Sequence, residues 1–414
     1  MLEVFFSFFF IVVILDWSLM IYWLSLTFLF LLFNLYDSGE YLLKMIMILL
    51  SIWLMMMMIM SIDYLEKSLE LMMLFLFIMF SLFIVFYSNS LIMFYIGFEM
   101  SVLPILLIIL GWGYQPDRLE AGIYMLMYTV SFSLPFLIGI IMVENLYMVH
   151  SFMLFMMFII AFLVKFPMFG FHLWLPRAHV EAPVYGSMVL AGIMLKLGGY
   201  GIIKISLLLG DILIKYSELI IIISILGGIY LSGVCFVQSD MKMLIAYSSI
   251  VHMSIVISGL LTMREIGING SIYMMIGHGL CSSGLFCILG LTYSRSMTRS
   301  MYLNKGMISI MPSCSLWWFM FCSSNLSFPP CLNLPGELFL FMSIISWSYY
   351  MYIILAILGV LSSMYSIYLF SFSQHGKVGF FFSFKSFNLN EMLMMFMHWV
   401  PLNLMLLDLS FLTF

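Results

Sequence analysis

The chain has 414 residues, of which 65% are hydrophobic and only 8% charged, against about 25% charged in ordinary soluble domains. That composition excludes a soluble globule, and a formal net charge of −4 gives no basis for a nucleic-acid or acidic partner. Apolar runs of the length needed to cross the hydrocarbon, about 20 residues, recur from end to end. The short alternating segments of a β-barrel are missing, so the expected fold class is an all-α polytopic membrane protein.

The amino terminus, MLEVFFSFFF, carries Glu3 and no early basic residue. It is read as a retained membrane span rather than a transit peptide or cleavable signal. Hydropathy predicts spans near 4–15, 17–35, 41–60, 71–88 and 90–110. Further spans fall near 121–143, 151–180, 184–209, 217–237, 242–262, 268–291, 308–350, 351–371 and 392–410. These amount to about 13 or 14 crossings, the two longest stretches each holding a broken helix or an extra crossing. GWGYQPDRLEAG (111–122), SRSMTRSMYLNKG (294–306) and SQHGKVG (373–379) are polar connections suited to a membrane surface.

A charged side chain at mid-membrane costs roughly 2.5–3.5 kcal/mol, so each one asks for a reason. Glu99 lies in LIMFYIGFEMSVLPILLIIL, either as a buried protonated acid or as a proton or ion site. Nearby, Pro104 leaves the carbonyl of Met100 without its usual donor. Lys165 precedes Pro167, which frees the carbonyl of Leu163 in the same way. Snorkelling is the ordinary explanation of a membrane lysine, but apolar sequence continues on both sides here. A desolvated lysine can trade its proton with a carboxylate.

Lys196, in MVLAGIMLKLGGYGIIKI, lies deep between apolar flanks and is read as functional. Lys204, about 12 Å further along a helix, is read as a snorkelling or end residue. His252 shares a helical face with Ser248, and His278 with Ser282. Single membrane histidines are commonly polar packers, yet two on adjacent spans make a hydrated relay. Glu337 follows Pro329, Pro330, Pro335 and Gly336, repeating the pattern of a proline break beside one ionisable residue. Paired interrupted helices in two halves point to an inverted repeat and its ion path.

The stretch KFPMFGFHLWLPRAHVEAP (165–183) gathers Lys165, His172, Arg177, His179 and Glu181 around three prolines. His172 and His179 with Glu181 suggest a metal site, but Pro176 lies between the histidines and breaks their helical alignment. Beyond the break these residues are read as a polar path or a surface end. The six cysteines form no C-x-x-C pair, and no Walker A, G-x-G-x-x-G or H-E-x-x-H motif is found. No metal and no cofactor is expected in the chain; a haem held by His252 and His278 is the electron-carrying alternative. Asp117, Arg118, Glu120, Arg264, Glu265, Arg295, Arg299 and Lys305 sit in connections, and most are read as solvated charges or headgroup anchors.

LVKFPMFGFHLWLPRAHVEAPVYGSMVLAGIMLKLGGYG (163–201) resembles the hallmark of the antiporter-like, proton-pumping subunits of respiratory complex I, the NADH:ubiquinone oxidoreductase. FYIGFEMSVLPILLIILGWGYQPDRLEAG, QSDMKMLIAYSSIVHMS, MIGHGLCSSGLFC and FPPCLNLPGEL extend the likeness over most of 90–375 in the expected order. The resemblance implies two inverted five-helix repeats with discontinuous helices. Its domains would be amino-terminal helices at 1–70, repeats at 71–210 and 211–372, and a carboxyl-terminal helix at 373–414. Position by position it implies that Glu99 and Lys165 form the glutamate–lysine pair and Lys196 is the central lysine. His252 and His278 would connect these to Glu337, where the related chains 2 and 5 carry lysine. His172 and His179 remain a secondary polar path.

It further implies proton translocation coupled to redox chemistry elsewhere in the complex. Other membrane-arm subunits, especially chains 2 and 5, and lipids would be the partners, in the mitochondrial inner membrane; abundant Met, Phe and Ile fit the AT-rich codons of an organellar gene. A cation/proton antiporter subunit of the Mrp type is the alternative, since it shares these helices.

Overall fold

The computed structural model describes residues 16–34, 42–145, 152–377 and 386–412; the span expected at 4–15 lies outside them. The described elements are helices, and the one β-bridge, Asp240 with Ser300, is isolated. α1 (Trp17–Phe33), α2 (Leu42–Ser61) and α3 (Leu69–Tyr87) come first. The Asp16 carboxylate caps α1 by accepting from Ser18 N–H, and the Ser68 hydroxyl caps α3 by accepting from Leu71 N–H. Each cap satisfies a donor that the first helical turn leaves unpaired.

α4 (Leu91–Met100) and α5 (Val102–Trp112) form one span interrupted at Ser101, three residues before Pro104, where the proline removes a helical donor. α6 (Arg118–Asn145) follows, then α7 (Phe152–Lys165) and α8 (Trp174–Glu181), then α9 (Val184–Val189), a π-turn (Leu190–Met194) and α10 (Leu195–Tyr216). The second half holds α11 (Glu218–Cys235), α12 (Met241–Leu261), α13 (Glu265–Ser296), α14 (Pro312–Asn325), α15 (Asn333–Trp347), α16 (Met351–Gln374) and α17 (Leu389–Leu404). Among the described residues, nine helical spans are long and apolar enough to cross a membrane. The two stretches expected to be broken or doubled, 151–180 and 308–350, are each one helix broken in two, α7/α8 and α14/α15.

The two breaks are built alike. At the first, Pro167 ends α7, and Met168 N–H reaches back to the carbonyl of Leu163 at 3.0 Å. The Trp174 indole then donates to the carbonyl of Val164 at 3.0 Å. At the second, Phe328 N–H takes the carbonyl of Ser323 at 3.0 Å, and the Asn333 amide donates to the carbonyl of Ser324 at 2.8 Å. Within the bilayer, freed carbonyls must find such internal donors. Gly170 turns the first break at φ +98°, a conformation that a residue with a Cβ rarely adopts.

Counted from α3, the broken helix is the fourth crossing in each of two consecutive sets, α3 to α10 and α11 to α16. An odd number of crossings per set starts the second set from the opposite face, which inverts it. α12 and α13 occupy the centre: 94% of the apolar stretch of each is buried, against 28% for α6 and 33% for α16. The polar side chains of α12 and α13 are therefore shielded from lipid.

Candidate functional site

The central feature begins at the π-turn. Leu195 N–H bonds to the carbonyl of Leu190 rather than to that of Ala191, and this wider turn releases a carbonyl. The Lys196 ammonium, fully buried, uses it, donating to the carbonyl of Ala191 at 2.5 Å. On its other side Lys196 Nζ lies 3.1 Å from His278 Nδ1. His278 on α13 faces His252 on α12, with ring centroids 5.5 Å apart and planes at 50°.

His252 is held between two further helices. Its Nε2 is 3.1 Å from the hydroxyl of Tyr365 on α16. Its Nδ1 is 3.2 Å from Glu337 Oε1 on α15. Those two atoms are out of line for a hydrogen bond, so their contact is electrostatic. Lys196, His278, His252 and Glu337 thus make one buried series across α10, α13, α12 and α15. Of these links, Lys196 to His278 is a hydrogen bond, within the reach over which a proton passes directly.

Glu99 and Lys165 are neighbours without a direct ion pair. The Lys165 ammonium donates to the carbonyl of Phe98 at 2.5 Å and sits 3.1 Å above the Phe98 ring. Glu99 Oε1 is buried without a hydrogen-bond partner. A close approach of α10 frames this corner: a Cβ on Gly198 would stand 2.9 Å from the backbone nitrogen of Phe166.

The charges beyond the first break separate. His172 stacks on Phe169 at 5.5 Å and accepts from Gly170 N–H at 3.2 Å. His179 lies flat on Phe286, centroids 4.7 Å apart, and neither of its nitrogens has a hydrogen-bond partner. Arg177 turns outward to Glu120 at 2.5 Å, while Glu181 faces Arg299 at 3.6 Å.

Several sequence expectations change. Ser248 and Ser282 spend their hydroxyls on carbonyls of their own helices, Ile245 at 2.7 Å and His278 at 2.6 Å. Neither hydroxyl bonds to a histidine ring. Arg295 and Arg299 are not solvated loop charges: Arg295 pairs with Glu391 at 2.6 Å, and Arg299 donates to the carbonyl of Val180 at 3.1 Å. Two residues went unnoticed in the sequence. Lys242, 2% exposed, donates to the carbonyls of Val180 at 3.2 Å and Ala182 at 3.0 Å. Its place at the start of a span hides that burial. Tyr365 stands 113 residues from His252, and only its position in an apolar span could have drawn attention.

A family model described as NADH:quinone oxidoreductase/Mrp antiporter, TM matches residues 88–364. The NADH-ubiquinone oxidoreductase chain 4 of Ceratitis capitata is 48% identical over 377 residues, covering 87% of this chain and 84% of the relative. The protein of that name from Aedes aegypti is 51% identical over 331 residues, covering 77% and 74%. In fold, the chain matches a chain of respiratory complex I from Thermus thermophilus with bound NADH at TM-score 0.85 and 20% identity, covering 94% and 91%. A chain of the Mrp complex from Dietzia sp. DQ12-45-1b matches at TM-score 0.76 and 19% identity, covering 88% of this chain and 42% of that one.

Proposed function

The chain belongs to the NADH-ubiquinone oxidoreductase chain 4 family, and from that premise we infer that Lys196, His278, His252 and Glu337 are its proton-conducting series. As a member it is a membrane-arm subunit of proton-translocating complex I, part of a multisubunit membrane assembly. The redox chemistry belongs to the complex; we propose no cofactor and no metal for this chain.

The continuity of close contacts at both ends of the histidine pair carries the reading, with Lys196 Nζ 3.1 Å from His278 Nδ1 and His252 Nδ1 3.2 Å from Glu337 Oε1. A proton on the Lys196 ammonium passes to His278 Nδ1, leaving the neutral amine and an imidazolium. His278 then releases its other ring proton toward His252, whose Nδ1 faces the Glu337 carboxylate and delivers a proton there, so that both imidazoles return to neutral. Tyr365 fixes the His252 ring from its Nε2 side.

Glu99 and Lys165 form the second element, a charge pair that makes or loosens contact as the complex turns over. Two unit charges at about 4 Å interact by about 4 kcal/mol at an effective dielectric near 20. Moving Lys165 from the Phe98 carbonyl to the Glu99 carboxylate would therefore bias the field on the central series. His172 and His179 are assigned to a secondary polar path.

The repeats are assigned to 71–210 and 211–372, flanked by the segments 1–70 and 373–414. The neighbours are proposed to be the antiporter-like chains 2 and 5 and membrane lipids, in the mitochondrial inner membrane. The eukaryotic sources of the relatives support that location. A stand-alone Mrp-type antiporter is not favoured, because the chain 4 relatives share 39–51% identity and the Mrp likeness is one of fold at 19%.

The test is Lys196→Ala in the assembled complex, reading protons moved per electron during NADH oxidation. A fall in that ratio is expected. An unchanged ratio removes Lys196 from the path.

A further inference from the structure

Lys165 has a second neighbour beyond its contact with Phe98. The Phe98 ring lies against the Phe94 ring, centroids 5.8 Å apart. Above Phe94, at 4.6 Å from the ring centre, sits the ammonium of Lys204. Phe162 packs on both rings, at 6.1 Å and 5.5 Å, and Phe136 closes on Phe162 at 5.0 Å. Phe94, Phe136 and Phe162 are 0% exposed and Phe98 1%.

On the far side of Lys204 several polar groups gather within a largely apolar lining. Lys204 donates to the carbonyl of Ser88 at 2.6 Å, and the Lys44 ammonium donates to the Asn89 side chain. A cavity of about 250 Å³ opens there, lined by Lys44, Ser88, Asn89, Tyr200 and Lys204 with leucines around them. At roughly 30 Å³ per water it has room for several. Ser88 and Asn89 follow the end of α3, so the cavity lies at a membrane face.

We propose that this cavity is a proton-exchange vestibule for the Glu99/Lys165 pair, and that Phe94 and Phe98 are the dry seal between them. The proposal rests on the reading of Glu99 and Lys165 as a proton-handling pair. A hydrophobic constriction stops ions by excluding water, and packed aromatic rings offer no hydrogen-bonded relay. Cation–π contact holds an ammonium on either side of the seal. When the rings part, the Lys165 ammonium gives one proton to vestibule water, leaving a neutral amine and a hydronium. No electron is transferred. A permanently open route would dissipate the gradient, so the seal must be thin enough to open and complete when closed.

The experiment uses the intact complex in liposomes without NADH and measures passive proton flux under an imposed pH difference. Phe94→Ala is expected to raise that flux several-fold, Phe94→Leu to leave it near wild type, and Lys165→Met added to Phe94→Ala to abolish the rise. Unchanged flux in an assembled Phe94→Ala complex, or a leak that survives Lys165→Met, overturns the proposal. Glu99→Gln alone, assayed during NADH oxidation, tests the underlying reading separately: normal pumping sinks that reading even where the leak behaves as expected. If Phe94→Ala fails to assemble, cysteine labelling decides. The native cysteines are buried, so a membrane-impermeant maleimide should modify Ser88→Cys and spare Glu99→Cys; equal reaction of both, or an inert Ser88→Cys, overturns the seal.

Discussion

Lys196 and His278, 82 residues apart in sequence, meet nitrogen to nitrogen at 3.1 Å in the buried centre of the protein. The contact exists because the π-turn before Lys196 gives its ammonium one carbonyl and leaves the imidazole as the next acceptor. His278→Leu keeps the bulk and removes the acceptor. Positioned proton transfer contributes typically 10²–10⁴-fold, so turnover-linked proton uptake should fall by about 10²-fold. Fluorescence quenching in energised vesicles reads it, and full quenching by the assembled variant would place the path elsewhere.

Tyr365→Phe makes a smaller change. It removes only the hydroxyl that meets His252 Nε2 at 3.1 Å, a bond worth about 1 kcal/mol net. Pumping should slow a few-fold with assembly intact, while His252→Phe should be far more severe. Equal effects of the two would mean that Tyr365 does more than orient the ring.

Gly198 tests the fit of α10 against the first break. An added Cβ would stand 2.6 Å from Phe166 Cβ and 2.9 Å from its backbone nitrogen, closer than real carbons pack. Overpacking of this kind costs about 1–3 kcal/mol. The melting temperature of the complex carrying Gly198→Ala should drop, whereas Gly210→Ala, whose Cβ would meet only Met263 at 3.9 Å, should not lower it.

The ion pair of Arg295 and Glu391, at 2.6 Å with side chains 9% and 16% exposed, ties α13 to the start of α17. Glu391 also accepts from Asn388 N–H at 2.9 Å in a capping box. Removing Glu391 takes away the charged partner of Arg295 while the carbonyls of Leu291 and Ser386 remain, at a cost of about 1.5–3 kcal/mol for a hydrogen bond between charged groups. Glu391→Ala should therefore reduce assembled complex on native gels, and Arg295→Met/Glu391→Met together should recover part of the loss. No recovery in the double variant would show that the cap, not the charge, matters.

Most of the spans among the described residues, and both broken helices, were legible in the sequence. Hydropathy reports how long a segment stays apolar, and a proline removes a donor wherever it stands. The clustering of one ionisable residue beside each break was legible for the same reason, and the order of the motifs pointed to the family. Glu99, Lys165, Lys196, His252, His278 and Glu337 could thus be named without coordinates.

Which of them touch was decided only by the tertiary structure. Lys165 meets the Phe98 carbonyl and ring, although a carboxylate lies on the next residue. Ser248 and Ser282 share faces with the histidines yet bond their own helices, because a hydroxyl reaches a carbonyl one turn back more readily than a neighbouring helix. Lys242 is buried at a span end, where lysines usually reach water, because the carbonyls of Val180 and Ala182 converge on it. A sequence records distance along a helix, but contact depends on the azimuth and on which distant helix packs there. That is why the polar residues of this membrane protein could be found one by one, while their connection required the fold.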